Sequence, residues 1–170
     1  AGYQLKREEA WPVLLQTRLA EKGFPHEVVN ASVSGETTSG GRSRLPDALV
    51  KHKPDLMILE LGANDGLRGL PARIAAENLD TMIAAARESG AEVLLVGMQM
   101  PPNYGPAYTR QFADVFRTLA DKHDIGFVPF LLDGFADDPQ YFLSDGIHPT
   151  AEAQHRILDT VWEKLEPMLQ

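Results

Sequence analysis

Asp145 and His148 stand three residues apart in Ser144-Asp145-Gly146-Ile147-His148-Pro149. Across a tight Asp-Gly turn, a carboxylate at this spacing can reach an imidazole locally. It would fix the ring tautomer and stabilise the imidazolium, which equips a histidine as a general base near neutral pH. The same residues also make an ordinary turn ahead of a helix, and spacing alone leaves both readings open. His26, His52, His123 and His155 fall at element ends or on helix faces and read as surface or structural.

Asn64 lies between Gly62 and Gly66, directly after an apolar run. Its side-chain amide could donate to a developing oxyanion, or Asn64-Asp65-Gly66 could be a turn chosen for backbone freedom. Gly35 offers a backbone N–H with no side chain to block approach. Met100, Pro101 and Tyr104 could line an apolar pocket or simply pack as a loop. Gly62–Gly66 has neither the lysine of a P-loop nor the G-x-G-x-x-G spacing, so it is no phosphate cradle. Asn30-Ala31-Ser32 matches a glycosylation acceptor, but it sits at an expected strand end and reads as chance.

These residues need a scaffold, and apolar periodicity supplies one. A helix is expected over about Arg7 to Lys22, with Trp11, Leu14, Leu15 and Leu19 on one face and Gly23 as its stop. Glu27–Val29 reads as a short strand, Ser32 to Ser43 as a polar stretch, and Leu45–His52 as a weaker helix. Asp55–Leu61 reads as a buried strand and Pro71 as the start of a strong helix that Gly90 closes. Glu92–Gly97 and Gly126–Pro129 read as strands, Tyr108–His123 and Ala151–Leu169 as helices. Strands alternating with long helices imply a parallel sheet covered on both faces. Ligands of such sheets bind at the carboxyl ends of the strands, where the polar segments named above gather.

A length of 170 residues fits one domain, expected over residues 1–170. The net charge of -8 disfavours nucleic acid and anionic membrane surfaces as partners. No apolar run approaches a membrane span; the longest, Leu56–Leu61 and Val93–Gly97, are strand-sized. The absence of cysteine excludes disulfides, thiolate metal sites and a cysteine nucleophile. Nothing in the pattern decides an oligomeric state, and a monomer is the simplest expectation.

Taken in order, four blocks resemble those of the SGNH/GDSL hydrolase family. Asn30-Ala-Ser-Val-Ser-Gly35-Glu-Thr is similar to the glycine block and Gly62-Ala-Asn64-Asp-Gly-Leu-Arg-Gly69 to the asparagine block. Pro101-Pro-Asn-Tyr-Gly105 is similar to the loop beside the acyl pocket, and Asp145-Gly-Ile-His148-Pro to the acid-and-base block. The nearest subgroup is the bacterial multifunctional thioesterase, lysophospholipase and arylesterase type. The resemblance implies a three-layer α/β/α sandwich with a parallel, flavodoxin-like sheet. It implies Asp145 and His148 as catalytic residues, Gly35 and Asn64 as the oxyanion hole, and Leu67, Met100, Pro101, Tyr104 and Ile147 at the substrate. Gly66 and Gly69 are expected hinges of a loop over the substrate. The implied substrates are small acyl esters and thioesters, with no cofactor and no metal. The implied location is periplasmic or secreted.

One block departs. The family nucleophile is the serine of a Gly-Asp-Ser-Leu-Ser motif that the subgroup follows with Ala-Gly-Tyr, and this chain begins Ala1-Gly2-Tyr3. The resemblance therefore expects the nucleophile, and the central strand leading to it, before Ala1. Ser32 and Ser34 belong to the glycine block and do not stand in the nucleophile position. Two other readings remain: a binding domain without a nucleophile, and a metal-dependent phosphoesterase using Asp65, Asp145 and His148 as ligands.

Overall fold

The computed structural model describes residues 2–169. Its helices are α1 (Trp11–Glu21), α2 (Thr38–His52), α3 (Ala63–Leu67), α4 (Ala72–Glu88), α5 (Pro106–His123) and α6 (Ala153–Leu165). Its strands are β1 (Leu56–Leu59), β2 (Glu92–Val96) and β3 (Gly126–Val128). They form a parallel sheet in the order β1-β2-β3, with Leu56 opposite Glu92 and Leu94 opposite Gly126. The chain divides into two compact units, one of Ala1–Ser34 with Leu131–Gln170 and one of Gly35–Phe130.

The second unit holds the sheet. Val93 to Val96 of β2 are buried, as expected for the middle strand of a parallel sheet. Against it lie α4, with Ala75, Leu79, Met82, Ile83 and Ala86 buried, and α5, with Phe112, Phe116 and Leu119 buried. Gly97 ends β2 where a methyl group would collide with the Pro129 carbonyl, so the close approach of the two strand ends requires glycine. Pro71 and Pro106 open α4 and α5 from positions where a missing N–H costs nothing.

Two segments of this unit differ from the sequence expectation. Helix α2 begins at Thr38 rather than Leu45 and absorbs half of the polar Ser/Thr/Gly stretch. The cause is a partner distant in sequence. Asp65, 1 % exposed, accepts the Thr38 N–H at 2.8 Å and the Thr38 hydroxyl at 2.6 Å. Thr38 Oγ1 in turn accepts from Asn78 Nδ2 at 3.0 Å, and Asn78 Oδ1 accepts from Arg42 at 3.2 Å. Gly41 lets α2 pack closely, since a methyl there would collide with Leu61. The expected Asn-Asp-Gly turn is instead the short helix α3, entered through Gly62 at a φ of 118°.

In the first unit α1 packs on α6. Leu15 and Leu19 of one helix and Ile157, Val161 and Leu165 of the other are buried. Gln154 Oε1 accepts the Trp11 N–H at 3.1 Å, and Arg18 pairs with Asp159 at 2.7 Å. The last helix begins at Ala153 and gives way to a 3-10 turn over Glu166–Leu169. The expected strand Glu27–Val29 does not form. Gln16 occupies this backbone instead: its amide donates to the His26 carbonyl at 3.2 Å and accepts the Val28 N–H at 2.7 Å. Among the described residues, no strand of the β1-β2-β3 sheet pairs with this segment. Among the described residues, no helix is long and apolar enough to cross a membrane.

Replacing Asp65 with alanine strands the buried Thr38 N–H and hydroxyl. The variant should lose about 2–3 kcal/mol of stability, the usual cost of unsatisfied buried groups. Denaturant unfolding measures this, and a loss below about 0.5 kcal/mol would show that Asp65 does not hold the start of α2.

Candidate active site

Asp145 and His148 sit on a loop closed by its own backbone. The Leu143 N–H donates to the His148 carbonyl at 2.8 Å, and the Gly146 N–H to the Leu143 carbonyl at 2.8 Å. Gly146 takes a φ of 68°, which an Asp-Gly turn supplies without strain. Asp145 Oδ1 accepts the N–H groups of Ile147 at 2.9 Å and His148 at 3.0 Å, while Oδ2 lies 2.8 Å from His148 Nδ1. The backbone N–H of His148, then that of Ile147, then the imidazole itself hold the Asp145 carboxyl down to a pKa of about 2. The carboxylate is thereby fixed as an acceptor, Nδ1 is fixed as its donor, and Nε2 is left to exchange a proton. The ring is partly open, with 41 % of the side chain exposed.

A neighbour that sequence reading missed lies against this imidazole. The Tyr3 ring stands 4.2 Å from it, centroid to centroid, at an interplanar angle of 33°. Nothing in the spacing of residues 1–10 signals that contact, because it spans almost the whole chain.

Gly35 and Asn64 are brought together in the other unit. Asn64 Nδ2 donates one hydrogen to the Glu36 carbonyl at 3.1 Å, which ties the amide to the peptide beside Gly35. Its second N–H has no partner among the described residues. Gly35 adopts a φ of 75°, and Arg68 donates to its carbonyl at 2.9 Å, while its own N–H is likewise free among the described residues. Arg44 pins the Glu36 carboxylate, with Nε at 2.7 Å from Oε1. The turn at Gly35 and the start of α3 at Asn64 therefore present two N–H donors without a partner among the described residues, an arrangement able to bind an anionic oxygen.

The expected substrate residues divide. Leu67 and Pro101 are half-buried and Ile147 is 43 % exposed. Met100 is only 4 % exposed and lies beneath Gly66, where any side chain would collide with it. It is a core residue that supports α3, not an open contact surface. Tyr104 donates to the Leu67 carbonyl at 2.8 Å, and Tyr108 to the Leu70 carbonyl at 2.7 Å, so two phenols stitch down the 66–70 loop. Gly66 is inside α3 and packed, so it is no hinge. Gly69, at a φ of 66°, is the one conformationally special position left in that loop. Asp65 is no open ligand either, since Thr38 engages both its oxygens. Of the remaining histidines, His123 is tied to Asp80 at 2.6 Å beside Lys122.

Comparison with known proteins places this geometry in context. Residues 1–156 match the GDSL-like Lipase/Acylhydrolase family. "Esterase TesA" of Pseudomonas aeruginosa is 46 % identical over 169 residues, covering 99 % of this chain and 84 % of the relative. "Thioesterase 1/protease 1/lysophospholipase L1" of Escherichia coli is 37 % identical, covering 99 % of this chain and 80 % of the relative. The solved structure of the psychrotrophic esterase EstA from Pseudoalteromonas sp., inhibited by monoethylphosphonate, superposes with a TM-score of 0.94. It is 32 % identical and covers 99 % of this chain and 92 % of its own. The chain belongs to the GDSL-like lipase/acylhydrolase family and has its SGNH hydrolase fold.

Because Asp145 keeps its charge down to about pH 2, its protonation does not contribute to acid loss of activity above that range. Activity should rise with pH as one imidazolium loses its proton, so log kcat/KM should climb with a slope of about one. A slope of about two between about pH 3 and 6 would show a second group, and would put Asp145 out of the assigned arrangement.

Proposed function

We propose, on the premise of this family membership, that the protein is a serine ester hydrolase working through an acyl-enzyme. Its substrates are carboxylic esters and thioesters: aryl esters, short- to medium-chain acyl esters, acyl-CoA and lysophospholipids. The observation that carries the reading is the His148 imidazole, bonded through Nδ1 to Asp145 with Nε2 uncommitted. The free donors of Gly35 and Asn64 support it. So do the relatives whose names are esterase, thioesterase and lysophospholipase. A phosphonate, which inhibits the EstA relative, copies the tetrahedral geometry of acyl transfer.

In this reading the nucleophile is a serine N-terminal to Ala1, in the family's Gly-Asp-Ser-Leu-Ser block. The tilted ring contact of Tyr3 with His148 supports the assignment, since it brings residue 3 to the imidazole. A serine five residues before Tyr3 is within about 18 Å of it along the backbone at most. The hydroxyl attacks the acyl carbon as His148 Nε2 takes its proton. Asp145 compensates the imidazolium charge. The N–H of Gly35 and the amide of Asn64 hold the oxyanion of the tetrahedral intermediate. His148 then protonates the departing alcohol or thiol, and water repeats the sequence on the acyl-enzyme. No observation favours a domain that binds without reacting.

Asn64→Ala should lower kcat by about 10²–10³, the loss typical of one oxyanion donor. His148→Ala should abolish the acyl-enzyme burst on an aryl ester, and Asp145→Asn should cost up to about 10⁴ in kcat. Stopped-flow release of the aryl leaving group reads all three. A burst retained in His148→Ala, or less than about a threefold loss in Asn64→Ala, would remove those residues from these roles.

A further inference from the structure

The Asp145 bond fixes one end of the imidazole and leaves it one motion. A ring held by its Cβ–Cγ bond and by the Nδ1 hydrogen bond can still tilt through coupled changes of χ1 and χ2, which moves Nε2 away from any reacting atom. His148 is open enough to do so, with 41 % of its side chain exposed. Tyr3 is what occupies the space. Its ring centroid lies 4.2 Å from that of the imidazole at a tilt of 33°, so close that such a movement would drive one ring into the other.

The chain also works to put Tyr3 there. Residues 2–5 form a tight turn, closed by the Leu5 N–H on the Gly2 carbonyl at 3.2 Å. Gln4 is left-handed at a φ of 57°, a conformation that a non-glycine residue adopts at a cost. At Gly2 a methyl group would come within 3.2 Å of Ala10 Cβ. A strained turn around an aromatic residue 42 % exposed to solvent is poorly explained by core packing. Such strain commonly marks a functional constraint. The phenol hydroxyl has no partner among the described residues, so the ring and not the hydroxyl is the active part.

We infer that Tyr3 is a positioning residue for the base: its ring holds the His148 imidazole in the plane set by Asp145 and steadies it when charged. This rests on the serine-hydrolase reading above. Among the described residues, the groups in contact with the imidazole ring are the Asp145 carboxylate, at Nδ1, and the Tyr3 ring, on one face. An aromatic face favours a cation beside it, so Tyr3 and Asp145 act in the same direction on the imidazolium.

The test compares Tyr3→Phe, Tyr3→Leu and His148→Ala in the intact protein, with pH profiles on an aryl ester. Tyr3→Phe keeps the ring and should stay within about twofold of the wild type. Tyr3→Leu should lower kcat by about 5- to 20-fold with KM unchanged within about twofold, because geometry is lost and binding is not. Its acid limb should move to lower pH, since the ring that steadies the imidazolium is gone. NMR gives a second readout that needs no turnover: in Tyr3→Leu the His148 ring protons should lose their upfield ring-current shift. If His148→Ala is inactive while Tyr3→Leu matches the wild type in kcat and acid limb, the positioning role is overturned and the hydrolase reading stands. A rise in KM alone would make Tyr3 a substrate contact and overturn the role too. An inactive wild type, or a fully active His148→Ala, would overturn both.

Discussion

The pair of hydrogen bonds from Thr38 to the buried Asp65 organises the sheet-bearing unit around its candidate site. Asp65 is the first carboxylate after β1 to be drawn inside, and it meets α2 at its N-terminal residue. There the peptide dipoles favour a negative group, and an unpaired N–H would otherwise be stranded. The bond joins two segments 27 residues apart, and the candidate oxyanion donors lie beside it on either segment. Asn64 precedes Asp65 by one residue, and Gly35-Glu36 precedes Thr38 by two. Once Asp65 is seated, the Asn64 amide has the Glu36 carbonyl within reach, and the Gly35 N–H is left without a partner among the described residues. The network runs on through Asn78 and Arg42, so α4 shares in holding it.

The Asp145–His148 bond itself depends on nothing so distant. Asp145 is oriented by the two N–H groups that follow it, and His148 by Asp145, all within four residues. Such a loop forms its geometry from its own backbone. What it lacks is lateral restraint on a half-open ring, and Tyr3 supplies that from the other end of the sequence. One half of the chemistry is thus built from long-range burial and the other from a local turn.

This division explains what the sequence made legible. The strands Leu56–Leu59 and Glu92–Val96 and the helices α4 and α5 were readable because burial writes itself as periodicity. The Asp145-x-x-His148 contact was readable because both partners lie in one turn. The early start of α2 was not, because the residue that stabilises it is Asp65, and residues 35–41 around Thr38 are Gly-Glu-Thr-Thr-Ser-Gly-Gly, with no apolar periodicity. The strand at Glu27–Val29 failed for the converse reason. Its residues have strand-like composition, but a strand needs a neighbour, and among the described residues none pairs with it; Gln16 bonds only at His26 and Val28. Met100 looked like a pocket residue because it sits in a proline-rich loop. Its burial under Gly66 is visible only in three dimensions.

The proposed mechanism requires a covalent bond between substrate and a serine whose proton passes to His148. The most direct measurement is the intact mass of the protein after treatment with a fluorophosphonate, with peptide mapping of the adduct. The expected result is a single phosphonyl adduct on a serine that precedes Ala1. No adduct, or an adduct on a serine within residues 1–170 such as Ser32 or Ser34, would contradict it.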